Sequence, residues 1–351
     1  MKSRFFARLA IGGLAVLFGA FALAMEESAS YHQLKKFSFG PAAGGAREYF
    51  DYITIDSAAR RVYVSHGTEI KVLDADSGAL IGNITGLKKD HGVAVAPEFG
   101  RGFITDGAQA KVIIFDLKTL TAIGEAKADD DTDSIVYDPA SKQVFAMNGD
   151  SHTSTVIDAK SGAVTGTIQL DGGPEFAVAD GIGTVYVNLE DKNELVSIDS
   201  RTLKIKSRWP IAPAGGPTAL AIDREHRRLF SAGRKPQMLV VLDADSGKLI
   251  QSFPISAGVD AAAYDPGTGL IFASTREGMI HVFHEDSPDH FSAVETVKTE
   301  YGAKTMGLDT QTHNLFVDTV DFTKTAPQTT EHPRPEGTPI PGTFHVLVYG
   351  K

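Results

Sequence analysis

Val72–Gly78 reads VLDADSG, and Val241–Gly247 reads VLDADSG again. Seven identical residues 169 positions apart read as one structural unit used more than once, and a quarter of that distance is about 42 residues. A motif of that period runs through the chain: an apolar strand ending in Asp or Pro, a short turn, then a second apolar strand. It reads YITIDSAARRVYV from Tyr52, VAVAPEFGRGFIT from Val93, SIVYDPASKQVFAM from Ser134 and FAVADGIGTVYV from Phe176. It continues as ALAIDREHRRLFSA from Ala219, AAAYDPGTGLIFAS from Ala261 and MGLDTQTHNLFV from Met306. The turns open at Asp56, Pro97, Asp138, Asp180, Asp223, Asp265 and Asp309, spaced by 41, 41, 42, 43, 42 and 44 residues.

A third strand follows in each copy, ending near Asp74, Asp116, Asp158, Asp199, Asp243, His284 and, in the last copy, Tyr349. VLDADSG is this strand with its turn: Asp accepts backbone N–H bonds there, and Gly tolerates positive φ. A fourth strand comes next, as in GALIGNI and GKLIQSF. Four short strands in about 42 residues are the signature of a β-propeller blade. The seventh copy stops after its third strand, whereas His32–Phe39 (HQLKKFSF) resembles an orphan fourth strand. The expected fold is all-β: a seven-bladed propeller of four-stranded blades, the last closed by the N-terminal strand. Closure leaves no open sheet edge. The blades span about 46–89, 90–131, 132–173, 174–216, 217–258, 259–302 and 303–351 plus 31–40.

These copies resemble the YVTN repeats of bacterial secreted seven-bladed propellers. HGVAVAPEFGRGFIT (91–105), RRVYVSHGTEIKVLDADSG (60–78) and STVIDAKSG (154–162) match the pattern of that family. The resemblance covers nearly all of residues 31–351. It implies the fold and leaves the activity open, because such propellers range from binding proteins to lactonase-like and dehydrogenase-associated ones.

Residues 1–24 read as a secretory signal peptide: Lys2, Arg4 and Arg8, then an apolar run from Leu9 to Leu23, then a small-x-small site at Ala22-Leu23-Ala24. The run is short for a membrane span. A periplasmic or secreted location is expected, with residues 25–351 as one domain, no membrane span after cleavage, and a monomer. Removing the leader takes away three positive charges and no acid, moving the net charge from −10 to −13. Such a surface disfavours general nucleic-acid binding. There is no Cys, so neither a disulfide nor a lipidated Cys holds the chain.

First strands of propeller blades line the central channel from the top face downward. The residue five before each turn is Asp51, Gly92, Asp133, Glu175, Thr218, Asp260 and Lys304. The YVTN pattern usually has Gly there; this chain has four carboxylates. They are expected at the upper channel mouth as a ligand-binding ring of Asp51, His91, Asp133, Glu175, Asp260 and Lys304, with Phe50 as a stacking face. Crowded carboxylates raise one another's pKa or recruit a cation, so Asp51, Asp133, Glu175 and Asp260 are candidate ligands for a divalent ion such as Ca²⁺. A solvated rim is the plainer reading.

The loops after the second strands are polar: His66, Asp106, Asn148, Asp150, His152, Glu190, Asp191, Arg234, Lys235, Arg276 and Glu277. Arg234, Lys235 and Arg276 suggest a basic patch, and Asn148 a structural role. His284 reads as a variant of the turn Asp. Blade 7 carries a proline-rich insertion at about 319–343, expected to fold partly over the channel mouth, so that deleting it changes ligand affinity more than melting temperature. The sequence contains no G-x-S-x-G, P-loop, H-E-x-x-H or C-x-x-C-H motif. Three readings follow: a binding protein or scaffold holding a small ligand or protein partner on its top face, without catalysis; a metal-dependent, lactonase-like hydrolase using the acidic ring; and an accessory subunit of a periplasmic redox system.

Overall fold

The computed structural model describes residues 30–42, 48–323 and 337–351. The leader and its cleavage site lie outside them, as does 324–336, the centre of the insertion. The described residues form seven four-stranded antiparallel sheets. Six are built from consecutive strands, spanning 53–85, 90–127, 132–169, 174–210, 217–254 and 259–298. The seventh is composite: strands Met306–Asp309, Asn314–Thr319 and His345–Gly350 are joined by His32–Ser38 from the N-terminus. His32 pairs with Gly350 and Ser38 with His345, with an irregularity between Gln33 and Lys35. Tyr31 carries the closure into blade 6: it is buried, packs edge-on against Phe272 at 5.3 Å, and donates to the His313 carbonyl at 3.0 Å.

Both copies of VLDADSG serve one structural purpose. Asp74 Oδ1 accepts Ser77 N–H at 2.8 Å and Ser77 O–H at 2.6 Å; Asp243 Oδ1 accepts the same groups of Ser246 at 2.9 and 2.6 Å. The loop closes on Gly78 and Gly247, at φ +71° and +70°. An aromatic of the preceding blade's outer strand lies flat on each: a Cβ would come within 2.2 Å of the Phe37 ring on Gly78 and 2.0 Å of the Trp209 ring on Gly247. Any side chain there would push one blade off the next.

Second and third strands are buried on both faces, because each blade packs between two others; fourth strands are half exposed. The core is thus a set of inter-blade layers centred on residues such as Tyr63, Phe103, Phe145, Phe230, Phe272 and Phe316. Each such ring contributes roughly 1.5–3 kcal/mol by leaving water. Blade 6 departs from the repeat. The sequence places a turn at His284; instead, strand Met279–Ser287 runs on through it and pairs Ser287 with His290. Glu285 N–H still meets the Gly269 carbonyl at 2.9 Å, the bond that Ala244 makes to Arg227 and Ala75 to Arg60, so the extra length begins only beyond it. No helix among the described residues is long and apolar enough to cross a membrane.

Candidate functional site: a charged circuit at the channel mouth

The first strands start at one end of the channel, and their polar first residues meet there. Asp51 of blade 1 accepts a hydrogen bond from His91 Nδ1 at 2.7 Å, and the same nitrogen lies 2.9 Å from Asp133 Oδ1 of blade 3. Lys304 of blade 7 reaches Asp51 at 3.9 Å and donates to Asp260 of blade 6. Arg234 of blade 5 donates to Asp260 and, at 3.3 Å, to Glu190 of blade 4. Glu190 in turn is hydrogen-bonded to Glu175. The circuit returns to Asp133 by electrostatic contact with Glu175. It draws a residue from every one of the seven blades, and Tyr49 donates to Asp51 at 2.8 Å.

Signs alternate around this circuit except on one arc. Lys304 and Arg234 flank Asp260, and Lys304 and His91 flank Asp51, but Asp133, Glu175 and Glu190 follow one another. Among the described residues, no cation stands between Asp133 and Glu175. His91 Nδ1 aligns with Asp51, whereas Asp133 Oδ1, 2.9 Å from the same nitrogen, has no well-aligned donor among the described residues. The titration behaviour follows. Burial pushes Glu175 up to about 9, with Asp133 and Glu190 adding to it. Burial also raises Asp133, which His91 offsets only in part. Asp51 goes the other way: burial opposes its charge, but Lys304 and then His91 hold it below the usual carboxylate range. His91 would be neutral on burial alone, yet Asp133 and Asp51 hold it up at about 10.

Beneath the circuit, Tyr52 of blade 1 meets Phe176 of blade 4 edge-on across the channel, with ring centroids 5.4 Å apart. Tyr52 is raised well above its ordinary value by burial and then by Asp133, Asp51, Glu175 and Asp260. This aromatic floor was legible in one further alignment column. The residues four before each turn are Tyr52, Val93, Ser134, Phe176, Ala219, Ala261 and Thr305. Aromatics stand only in blades 1 and 4, on opposite sides of the wheel. Arg234 and Glu190, read from the sequence as loop residues, belong to the circuit; no sequence signal pairs them with Asp260 and Glu175, since those contacts join different blades.

The other expected positions divide cleanly. Gly92 has no room for a side chain: a Cβ would meet Ile135 Cγ2 at 3.0 Å and the Asp133 carbonyl at 3.3 Å. Thr218 donates to the Val259 carbonyl at 2.9 Å. Asn148 is buried and donates to Thr153 and Thr155. Asp106 and Asp191 accept backbone N–H groups of the preceding loops. Phe50 packs against Phe344 at 5.8 Å rather than over the channel. As possible metal ligands, Asp51, His91 and Asp133 bring donor atoms within 4.8 Å of one another, whereas Glu175 and Asp260 are bonded elsewhere on the rim.

A cavity of about 300 Å³ opens beside Lys304, between blades 6, 7 and 1. Lys304, Arg276, Tyr49, Phe50 and Tyr301 line it, and the described flanks of the insertion contribute Phe322 and Gly337–Pro339. Those flanks pair as a short ladder, with Thr323 N–H on the Thr338 carbonyl at 2.9 Å and Ile340 N–H on the Asp321 carbonyl at 2.8 Å.

The His91 arrangement carries a pH signature. The imidazole holds its proton to about pH 10 when folded, against an ordinary value of about 6.5. Its contribution to stability is therefore full below about pH 6.5 and declines as pH rises toward the folded value. Asp133, raised in the fold, acts in the same direction. Urea unfolding at a series of pH values across that window is expected to show stability falling with pH, and His91→Gln to flatten the fall while costing ~2–3 kcal/mol at neutral pH. Parallel curves for the two proteins would refute the assignment.

No family model and no curated protein matches the sequence. Solved structures do match. A chain of Kuenenia stuttgartiensis hydrazine synthase superposes with a TM-score of 0.68 at 14% identity, over 80% of this chain and 92% of that one. A chain in a crystal structure of a mitotic checkpoint complex superposes with a TM-score of 0.72 at 11% identity, over 100% of this chain and 99% of that one. At such identities the likeness speaks to the fold alone. The protein is a seven-bladed β-propeller.

Proposed function

We propose that this chain is a secreted or periplasmic propeller of the YVTN-repeat kind, and that it binds a small organic cation at the top of its central channel. The observation that carries the reading is the broken alternation of the circuit: Asp133, Glu175 and Glu190 stand together, without a cation between Asp133 and Glu175, above the Tyr52–Phe176 floor. Carboxylates on one side and aromatic rings below are the two features that recognise an ammonium group, by charge pairing and by cation–π attraction. A ligand ammonium on this arc would take the place of the proton that burial holds on Glu175 and complete the alternation that Lys304, Arg234 and His91 maintain elsewhere. The hydrolase reading asks Asp51 and Asp260 to hold a metal ion, but both are already bonded to the protein's own cations.

Benzylammonium, benzyl alcohol and benzoate share one ring and differ in head-group charge. Calorimetric titration of the full chain is expected to show at least a tenfold preference for benzylammonium, about 1.4 kcal/mol. Asp133→Asn and Glu175→Gln are each expected to abolish that preference. Equal affinity for the three probes, preference for benzoate, or a preference untouched by both substitutions would sink the reading. Tight Ca²⁺ binding that displaces benzylammonium would return the arc to a metal ion.

A further inference from the structure

On the face opposite the circuit, the overlong hairpin of blade 6 brings Glu285 against the first turn of blade 5. Asp223, His226 and Glu285 offer donor atoms that all lie within 4.8 Å of one another. His226 Nδ1 is 2.8 Å from Asp223 Oδ2 and 3.0 Å from Glu285 Oε1. The two carboxylates are buried, with side-chain exposure of 3% each, while His226 is 41% exposed and opens the cluster to solvent. Asp223 is preset by its own turn, accepting Glu225 and His226 N–H at 3.0 Å each. Glu285 is not settled in this way. The Tyr264 hydroxyl lies beside it as a donor, yet neither carboxylate oxygen receives a well-aligned hydrogen bond among the described residues, and the residue is only 9% exposed. A buried carboxylate so weakly partnered is costly unless a proton or a cation occupies the space before it.

We infer that Asp223, His226 and Glu285 form a divalent transition-metal site, of zinc type, that bridges blades 5 and 6. One imidazole nitrogen and two carboxylate oxygens, with a face left open to water, are a three-ligand set suited to Zn²⁺. Ligands at about 2.1 Å from a tetrahedral ion lie about 3.4 Å apart, so the present separations of 2.8 and 3.0 Å need to open by about half an ångström. The metal replaces the shared proton and gives both buried carboxylates a partner. Two guanidinium groups of the same turn region are engaged elsewhere: Arg228 donates to Asp243, Asp289 and the Pro288 and His226 carbonyls, and Arg224 to the Ala179 carbonyl. Nothing in the repeat pattern announces the site. It arises because blade 6 alone extends its third strand past the usual turn.

The full chain, stripped with chelator, is expected to bind one equivalent of Co²⁺ with visible d–d absorption of a four- or five-coordinate ion, and Zn²⁺ to displace it. His226→Ala, at an exposed position, and Glu285→Gln, which keeps the buried volume, should each weaken Co²⁺ binding at least tenfold. Asp133→Asn in the channel circuit and His345→Gln, which removes a ligand from the Glu300, Asp321 and His345 cluster, should change it less than twofold. Absence of stoichiometric binding, survival of binding in either His226→Ala or Glu285→Gln, or loss in either control overturns the assignment.

Discussion

A chain that begins at Ala42, lacking the strand His32–Ser38, is expected to be unfolded or aggregated at 25 °C, whereas the chain beginning at Ser30 folds. The strand forms the outer edge of blade 7, with six paired positions on His345–Gly350. Its hydrogen bonds contribute ~0.5–1.5 kcal/mol each. Phe37, seated on Gly78, adds ~1.5–3 kcal/mol. Tyr31, lost with it, holds blade 6. The sum approaches the whole stability of an ordinary domain, ~5–15 kcal/mol. Beyond energy, removal bares the apolar strand His345–Gly350, buried along its whole length, as an open edge. Circular dichroism and size-exclusion chromatography check the outcome. A monomeric truncated chain with a wild-type melting temperature would show that the ring does not depend on this closure. Adding the strand back as a separate peptide should restore solubility if the edge is what fails.

Replacing Lys304 with Met is expected to cost ~3 kcal/mol at pH 7, because it leaves two buried carboxylates short of a partner. Lys304, Asp51 and Asp260 have side-chain exposures of only 20, 12 and 10%. Asp51 then loses the charge that does most to hold it below the usual carboxylate range, and burial pushes it up. In the wild type, a depressed carboxylate contributes stability above its ordinary pKa and loses it as pH falls through the folded value. In Lys304→Met Asp51 is instead raised, so that protein regains stability as pH falls from 7 toward about 4 while the wild type, whose own loss begins only below its depressed value, does not, and the gap between the two should narrow over that range. Asp260→Asn in the Lys304→Met background should restore part of the loss, a non-additivity expected of groups in direct contact. A pH-independent gap, or strictly additive effects, would mean that Lys304 acts through packing of its stem rather than through charge.

The repeat was legible because its signals are local. Asp74 and Asp243 bond to residues three positions on, and the glycines that follow adopt positive φ within the same turn. Strand count, blade number and the orphan strand at His32 follow from such short-range chemistry and from period alone. The column of Asp51, Asp133, Glu175, Asp260 and Lys304 was legible too, since equal offsets in equal blades face the same axis. What each carboxylate meets there was not. Arg234 bonds to Asp260 and Glu190, and Tyr52 reaches Phe176, across separations in sequence that no period encodes.

Blade 6 shows the same division from the other side. Its His284 stands where five sisters suggest a turn, and pattern alone cannot tell a substituted turn residue from a strand that continues. Period and turn chemistry therefore dictate the wheel, because each blade repeats one local solution. The pairing of charges at the hub, and of Glu285 with Asp223 and His226, depends on the closed ring, which sets side chains of different blades at bonding distance and shields them from water.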